Sequence, residues 1–323
     1  MAAGSTHTIR LTSRAPAQAK GDALIDWLTR RFRYHSRADW LEQLHAGNVT
    51  LDGRVARGGE RLLVGMEITY NKRHQEPEVC TDVRVLHEDN EFLVVDKPAH
   101  LPMHADGPFI RNTLIHILRR DHGPELQLIH RLDRETSGVV LCARSKAVQA
   151  QVQAQFGHEI SKSYVAVVNG VVAAPFTCDE PIGYHQHSEI RIRRSARTDA
   201  SRQQHAETRV TPIERGASRT LVSCNPQTGR THQIRAHLEH HGHPIIGDKL
   251  YGHSDANYLG FIRRMKAGES VFSNPDDGPN RQLLHADAVT LRHPGDHRMV
   301  TYKAPVPREF SEWLLSSGAR DAP

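Results

Sequence analysis

The chain has 323 residues, of which 38% are hydrophobic and 24% charged, an ordinary composition for a soluble globular protein large enough for two domains. Its apolar runs fall short of the roughly 20 residues that span a bilayer, and its four cysteines form no CxxC pair, which argues against a zinc ribbon or a zinc nucleobase deaminase. The net charge of +5, counted with neutral histidines, favours a polyanionic partner.

Residues 1–20 form a basic, polar segment without the apolar stretch of a secretory signal. We therefore expect a short flexible tail, a cytoplasmic location and reduced thiols, because disulfides are rare in that compartment. A small module is predicted over residues 21–72. The charged, proline-bearing residues 73–81 are typical of a linker.

The pattern of the module predicts two helices and two strands. Ser36, followed three residues later by Asp39, resembles a capping box that starts the second helix. The predicted elements are a helix over Ala23–Phe32, a helix bearing Trp40, Leu41 and Leu44, a strand over Val49–Leu51 and a closing strand over Met66–Tyr70.

Basic residues crowd the first half of the module, at Arg30, Arg31, Arg33 and Arg37. Arginines at one end of a helix pair can follow an RNA backbone, although they are also typical of a solvated surface. The pattern SRxxxxxxLxxGxVxLDG, between a helix and a strand, resembles the ribosomal-protein-S-four-like RNA-binding domain. One departure is Gly65-Met66, where that family usually has a Gly-Asp pair.

A larger α+β unit is predicted over residues 82–315, followed by a tail at 316–323. Its strand and helix patterns interleave without a strict βαβ rhythm, which predicts a mixed, largely antiparallel sheet flanked by helices. Residues 253–280 are expected to be a polar insertion with one amphipathic turn. The predicted strands are 83–86, 92–95, 139–143, 164–168 and 220–223, and the predicted helices are 113–120, 146–156 and 231–240.

The segment HRLDRETSG, residues 130–138, sets Asp133 between Arg131 and Arg134 where a polar turn leads into an apolar strand. Neighbouring cations favour the ionised form of a carboxylate, and burial opposes it. An anionic carboxylate at such a turn suits a nucleophile or a base. The same residues suit an aspartate that only ties down its own turn through local hydrogen bonds.

Two further segments carry candidate residues. Thr231 is predicted to cap a helix, which puts Arg235 in its first turn, and Arg230 precedes it in the turn. Two arginines beside a capped turn suit an anion-facing role, although each alone is typical of the surface. Tyr164, in Lys162-Ser163-Tyr164 at the start of a strand, suits either a functional role or core packing with its hydroxyl at the rim.

The segments HRLDRETSG, KSYVAVVNG (162–170) and TGRTHQIRAHLEHHGHPIIGDKLYG (228–252) resemble the motifs of the RluA-type RNA pseudouridine synthase family. Supporting matches at 85–107, 283–294 and 302–310 extend the resemblance in order over residues 83–315. The resemblance implies isomerisation of uridine to pseudouridine in structured ribosomal or transfer RNA, without a metal or organic cofactor. We expect a monomer with RNA as its partner and no membrane association.

The resemblance also implies roles for individual residues. Asp133 corresponds to the catalytic aspartate, Tyr164 to the tyrosine beside the target base and Arg235 to the arginine that pairs with the catalytic carboxylate. Substrate-binding roles are expected for Arg131, Arg134, Arg230, His232 and Lys162. One departure is Lys97-Pro98-Ala99-His100, where the family usually has KPxG, so we expect an altered loop with retained activity.

Three other interpretations use the same residues. Histidines at 237, 240, 241 and 243 could bind zinc in a metal-dependent hydrolase, but they lack the HExxH order. Asp133 and Glu135 could form a glycosidase-like carboxylate pair, although their separation in a turn is unconstrained. The third interpretation is an RNA-binding protein that has lost catalysis, against which the presence of Asp133, Tyr164 and Arg235 argues.

Overall fold

The computed structural model describes residues 6–267, 269–270, 272 and 278–316. The chain divides into two units, the first ending at Glu76 and the second beginning at Pro77. The predicted tail at 316–323 lies, apart from Ser316, outside the described residues.

The first unit packs two helices against a four-stranded sheet of order β1-β4-β2-β3. Its core is built around the buried side chains of Leu24, Leu28, Trp40 and Leu62. The capping box is confirmed, because the Asp39 amide donates to Ser36 Oγ and the Ser36 amide donates to Asp39 Oδ2. The elements are β1 (Thr6–Arg14), α1 (Leu24–Arg31), α2 (Arg37–His45), β2 (Val49–Leu51), β3 (Arg54–Val55) and β4 (Glu67–Gln75), with a 3-10 turn over Ala17–Ala19.

The expected flexible tail is wrong for residues 6–14, which form strand β1. This strand pairs antiparallel with β4 along its whole length, from Thr6 opposite Gln75 to Arg14 opposite Glu67. The sequence does not mark this strand, because its side chains are largely polar and exposed and its partner lies about sixty residues away. The same pairing extends β4 to Gln75, so residues 73–75 belong to the sheet and not to a linker.

The second unit contains a mixed, largely antiparallel sheet, as predicted, with strand order β10-β14-β15-β9-β16-β8-β6-β5. Strand β17 pairs with β16 and β7 with β8, while β11, β12 and β13 form a separate small sheet. The strands are β5 (Arg84–Glu88), β6 (Phe92–Lys97), β7 (Gln127–Leu128), β8 (Ser137–Ala143), β9 (Ser161–Asn169), β10 (Phe176–Cys178), β11 (Ile182–Tyr184), β12 (Arg194–Ser195), β13 (Ser201–Gln204), β14 (Thr208–Arg215), β15 (Arg219–Pro226), β16 (Leu284–Arg292) and β17 (Met299–Lys303). The helices are α3 (Leu114–His122), α4 (Lys146–Gln153), α5 (Gln233–His240), α6 (Asp255–Lys266) and α7 (Glu309–Leu315).

Strand β8 is the rigid element that leads out of the HRLDRETSG turn. All seven of its residues are buried, because side chains cover both faces of the sheet at this point. Val140 and Cys142 pack into one cluster with α3, and the alternate residues Val139 and Leu141 pack into another with Val152 of α4. The turn before β8 is therefore attached to a strand that is fixed on both sides.

Gly138 allows β8 to run parallel to β16 at close range. It has a φ of 114°, and a Cβ at this position would lie 2.1 Å from the carbonyl oxygen of Ala286. Only glycine fits such a close backbone approach at a positive φ. The close pairing of β8 with β16 thus depends on this residue.

The expectation of one amphipathic turn within 253–280 is wrong, since α6 is a 12-residue helix. Tyr258 and Leu259 pack against one buried cluster and Met265 against another. Their spacing places apolar side chains on neighbouring faces of a helix. Polar residues lie between them in the sequence and obscure this helical pattern. Among the described residues, no helix combines the length and the apolar character needed to cross a membrane.

Candidate active site

A cavity of about 450 Å³ opens where the turn before β8, the start of β9 and the start of α5 meet. Ligand pockets in proteins commonly have volumes of this order. The residues that line this cavity come from segments that lie far apart in the sequence. Among the predicted residues, it contains Arg131, Asp133, Lys162, Tyr164, Arg230, His232 and Arg235.

Asp133 is held at the cavity wall by a charged hydrogen bond. Its Oδ2 lies 2.7 Å from Nη1 of Arg235, and about 25% of its side chain is exposed. Its carbonyl accepts a hydrogen bond from the Thr136 amide, which closes the turn before β8. Backbone atoms therefore close the turn, and the carboxylate itself bonds to Arg235 at the cavity wall.

The pKa of Asp133 is held well below its usual range. Burial by itself would raise this pKa, but His232, the Arg235 guanidinium and hydrogen bonds from Arg235 and Gln282 lower it by more. Burial lowers the pKa of His232 to about 4 despite the nearby carboxylate, so this imidazole is neutral at pH 7. Arg235 is therefore the cation that keeps Asp133 ionised.

Arg235 lies in the first turn of α5 and contacts a second carboxylate, that of Asp248. Its Nε and Nη2 atoms lie 2.6 and 2.8 Å from the two carboxylate oxygens of Asp248. The ring of Tyr251 packs under the guanidinium, 4.8 Å from Cζ. The sequence reasoning missed Asp248 and Tyr251, although both stand in the quoted motif GDKLYG.

Tyr164 enters the cavity from β9 and is a neutral phenol at pH 7. Burial, with the charges of Asp133 and Asp287, raises its pKa well above the ordinary value. Its ring packs against two buried clusters, and its backbone lies opposite Cys224 of β15. The tyrosine can therefore present a flat, fixed surface and a hydrogen-bond donor to a ligand.

The remaining predicted residues of the wall differ in what their side chains contact. Lys162 lies over the Phe156 ring at 5.5 Å, and burial lowers its pKa. Arg230 is anchored by a 2.9 Å hydrogen bond from Nε to the carbonyl of His205. His232 Nε2 lies 3.9 Å from Asp133 Oδ1, close enough to order a substrate group between them. Arg131 lines the cavity and is exposed.

Arg134 points away from the cavity, contrary to the substrate-binding role expected for it. Its Nη2 lies 2.8 Å from Glu135 Oε1 and its Nη1 3.2 Å from the sulfur of Met265. The guanidinium also lies over the rings of Phe109 and Phe261. Neighbouring residues of a turn project in different directions, so Asp133 faces the cavity while Arg134 ties the turn to α6.

The predicted cap at Thr231 is also wrong. Helix α5 begins at Gln233, and the capping position is His232, which has a left-handed φ of 56° and makes no side-chain cap. The Gln233 side chain shapes the preceding turn, accepting from Thr228 Oγ1 and the Arg230 amide. The Gln233 amide therefore orders the turn that precedes the helix, while the capping position itself has no side-chain hydrogen bond.

The loop at Lys97–Leu101 keeps a left-handed residue where the family pattern has glycine. His100 has a φ of 58° and is buried. The buried Lys97 ammonium donates to the carbonyls of Pro98, Leu101 and Arg134, and the Leu101 amide also donates to Arg134. The loop is therefore bonded to the residue after Asp133.

The contacts do not favour a zinc site at the clustered histidines. His237 contacts Thr208 Oγ1 and the Glu180 carbonyl, while His240 and His241 contact the Glu180 carboxylate. Among the described residues, the group with ligand atoms close enough for a metal is instead Asp89, Glu91 and His293.

A glycosidase-like pair is not formed either. Glu135 is 7% exposed, does not line the cavity, and bonds to Arg134 and Lys249. Asp133 and Glu135 therefore do not face one ligand together.

Comparison with known proteins shows which family the chain resembles. Residues 91–240 match the family model described as RNA pseudouridylate synthase. The chain is 33% identical over 319 residues to the ribosomal large subunit pseudouridine synthase D of Xanthomonas campestris pv. campestris, covering 95% of this chain and 92% of that protein. The corresponding protein of Pseudomonas aeruginosa is 30% identical over 319 residues, covering 95% of each.

Solved structures give the same result. The structure named human RNA pseudouridylate synthase domain containing 1 matches with a TM-score of 0.56 and 26% identity, covering 71% of this chain and 86% of that one. The structure named human RNA pseudouridylate synthase domain containing 4 matches with a TM-score of 0.53 and 29% identity, covering 72% and 91%.

Proposed function

Since the chain belongs to the RNA pseudouridine synthase family and isomerises uridine to pseudouridine in RNA, we propose that Asp133 is the carboxylate on which this reaction depends. The observation that carries the proposal is the contact between Asp133 Oδ2 and Arg235 Nη1 at the wall of a nucleoside-sized cavity. An ionised carboxylate in that position can attack or deprotonate a ribose or uracil that enters the cavity.

The chemistry requires few groups. The C1′–N1 glycosidic bond breaks, a C1′–C5 bond forms, the proton on C5 is lost to solvent and N1 gains a proton. The reaction has no net redox change and transfers no group from outside, so the protein need only supply a carboxylate, proton transfer and an enclosure that retains the freed uracil. The cavity that Tyr164 and Leu284 help to line is suited to that retention.

The other residues of the wall would orient the nucleotide. Tyr164 would pack against the uracil, with its protonated hydroxyl available for proton transfer. Lys162, Arg131 and Arg230 would hold the flanking phosphates, and His232 would contact the ribose or base as a neutral imidazole. The target must leave its stack to reach this cavity, which costs a few kcal/mol and favours uridines in loops and bulges.

The RNA that we propose as substrate is large-subunit ribosomal RNA. The names of the Xanthomonas and Pseudomonas relatives, each matched over nearly its whole length, support this choice over transfer RNA. We propose that the protein acts on this RNA in the cytoplasm, as a monomer. Mapping pseudouridine in total RNA from a strain lacking the gene would test the choice, since loss confined to transfer RNA would overturn it.

The first unit is proposed to be an S-four-like module that binds the RNA backbone. The side chains of Arg30, Arg31, Arg33 and Arg37 are all exposed, which such contacts require. Arg30 pairs with Asp22 and Arg37 with Asp26, so Arg31 and Arg33 offer the stronger phosphate contacts.

Replacement of Asp133 tests the proposed catalytic role. We expect Asp133→Asn to abolish tritium release from RNA labelled at uridine C5 and to leave RNA affinity nearly unchanged. The matched control is Asp255→Asn, which removes another arginine-paired aspartate outside the cavity and should release tritium as the wild type does. Turnover by Asp133→Asn close to that of the control would remove the aspartate from the mechanism.

A further inference from the structure

Asp248 is a buried carboxylate that the proposed chemistry does not use directly. Its side chain has no exposed surface, whereas about a quarter of the Asp133 side chain is exposed. It follows α5, where its Oδ1 accepts hydrogen bonds from the amides of Leu250 and Tyr251 at 2.9 and 3.0 Å. Asp248 is thus fixed by the backbone of its own turn and is out of reach of RNA.

The two carboxylates share one guanidinium unequally. Asp248 takes the edge formed by Nε and Nη2, with one oxygen on each nitrogen, at 2.6 and 2.8 Å. Asp133 receives Nη1 alone, at 2.7 Å from Oδ2. Because the guanidinium is a rigid planar fork, a bidentate contact on one edge sets the direction of the remaining nitrogen.

We propose that Asp248 is a positioning residue, which fixes Arg235 so that it meets Asp133 through a single nitrogen. The proposal rests on the catalytic role proposed above for Asp133. A one-nitrogen contact keeps Asp133 ionised and leaves its Oδ1 outside the guanidinium, on the side of His232. A two-nitrogen contact would engage both oxygens of Asp133 and reduce the carboxylate's ability to react with a substrate.

The turn that carries Asp248 orders the opposite side of Asp133 as well. Tyr251 packs its ring beneath Arg235, and its hydroxyl lies 3.1 Å from His232 Nδ1. Segment 248–251 therefore fixes two of the groups that approach Asp133, the charged guanidinium and the neutral imidazole. The two groups meet Asp133 on different oxygens.

The variant Asp248→Asn tests the proposal with little change in volume. The amide oxygen can still accept from Leu250 and Tyr251, but the amide nitrogen cannot accept from Arg235. We expect the single-turnover rate of tritium release to fall on the order of 100-fold, as for other displacements of reacting groups. The dissociation constant for the RNA should stay near that of the wild type, because Asp248 does not touch RNA.

Asp89→Asn is a matched control for the structural effect of such a change. Asp89 also accepts from two backbone amides of its own turn, those of Glu91 and Phe92, but it contacts histidines and not Arg235. We expect it to lower the melting temperature without lowering the rate of the folded enzyme. An equal loss of rate in both variants would assign Asp248 to fold stability alone.

A double-mutant cycle separates an effect through Arg235 from a general one. Arg235→Lys removes the fork, so in that background Asp248→Asn should lower the rate much less than it does in the wild type. Additive losses would overturn the proposal, as would a rate for Asp248→Asn close to wild type. If the unaltered chain forms no pseudouridine in RNA, the proposed function fails; if only the Asp248 variants behave like wild type, that function stands and this inference falls.

Discussion

Two carboxylates two residues apart, Asp133 and Glu135, form two different charged clusters. Asp133 meets Arg235 and, beyond it, Asp248, at the wall of a cavity. Glu135 meets Arg134 and Lys249 in the interior. Both carboxylates have lowered pKa values and strong partners, so ionisation alone does not distinguish a reactive group from a structural one. The difference is that Asp133 lines the cavity, whereas both oxygens of Glu135 are bonded to cations inside the protein.

The largest effect is expected from replacing Arg235, the arginine of the cluster at the cavity wall. Arg235→Met would leave Asp133 and Asp248 facing each other without a cation, which raises the pKa of Asp133 and destabilises its ionised form. We expect tritium release to fall on the order of 100-fold or more, as when one preorganised donor is removed from an active site. Unfolding in urea should show a loss of about 3–5 kcal/mol, typical of a broken buried pair. A fully active variant would show that Asp133 needs no counter-ion.

The interior cluster should respond in the opposite way. Glu135→Gln leaves the ammonium of Lys249 and the guanidinium of Arg134 without their carboxylate, and we expect a loss of about 3 kcal/mol in unfolding free energy. The rate of the folded fraction, measured by single turnover at low temperature, should match the wild type. A loss of rate without a loss of stability would place Glu135 in the reaction and erase the distinction between the two clusters.

Acid should weaken the interior cluster over a defined range of pH. Folding lowers the pKa of Glu135 from 4.5 to about 2, against the effect of burial, mainly through Lys249 and Arg134. Its ionised form therefore stabilises the fold above pH 4.5, and this contribution is lost as the pH falls towards 2. The difference in unfolding free energy between the wild type and Glu135→Gln should shrink from pH 6 to pH 3. A constant difference would mean that Glu135 stabilises the fold by packing and not by charge.

The smallest effect is expected on the surface of the first unit, where charges are exposed and screened. Arg31→Ala with Arg33→Ala should lower the salt dependence of RNA binding by roughly one unit of slope for each phosphate that is no longer neutralised. The matched pair Arg30→Ala with Arg37→Ala should change the slope less, because Asp22 and Asp26 already neutralise those arginines. Equal changes in the two pairs would mean that the ion pairs open when RNA binds.

Much of the fold follows from local patterns in the sequence. The capping box at Ser36 starts α2 as predicted, and the apolar run 139–143 lies in the central strand β8. Strand β1 could not be predicted in this way, because its partner β4 ends at residue 75 and the pairing involves backbone atoms. Local periodicity reports the burial of side chains and contains little information about distant backbone partners.

In the candidate site, too, local motifs could be predicted from the sequence and distant contacts could not. Asp133, Tyr164 and Arg235 were selected by motif, and the structure brings all three to one cavity. The direction of Arg134 could not be read from spacing, because it depends on the backbone angles of the turn. Asp248 was missed because a lone aspartate after glycine is typical of an ordinary turn. Its significance comes from a contact with Arg235 across 13 residues of chain.

The parallel contact between β8 and β16 has a consequence for the order in which the protein matures during synthesis. Ser137 Oγ lies 2.8 Å from His285 Nδ1 and 2.9 Å from Nη1 of Arg281, so the turn before β8 is secured by residues about 145 positions later. A nascent chain that has emerged only as far as α5 already carries Asp133 and Arg235, but not Arg281 and His285, which hold the start of β8 in place. Contacts of such long sequence separation form late and slow the folding of the whole domain. The contacts that secure the start of β8 can therefore form only after residue 285 has left the ribosome.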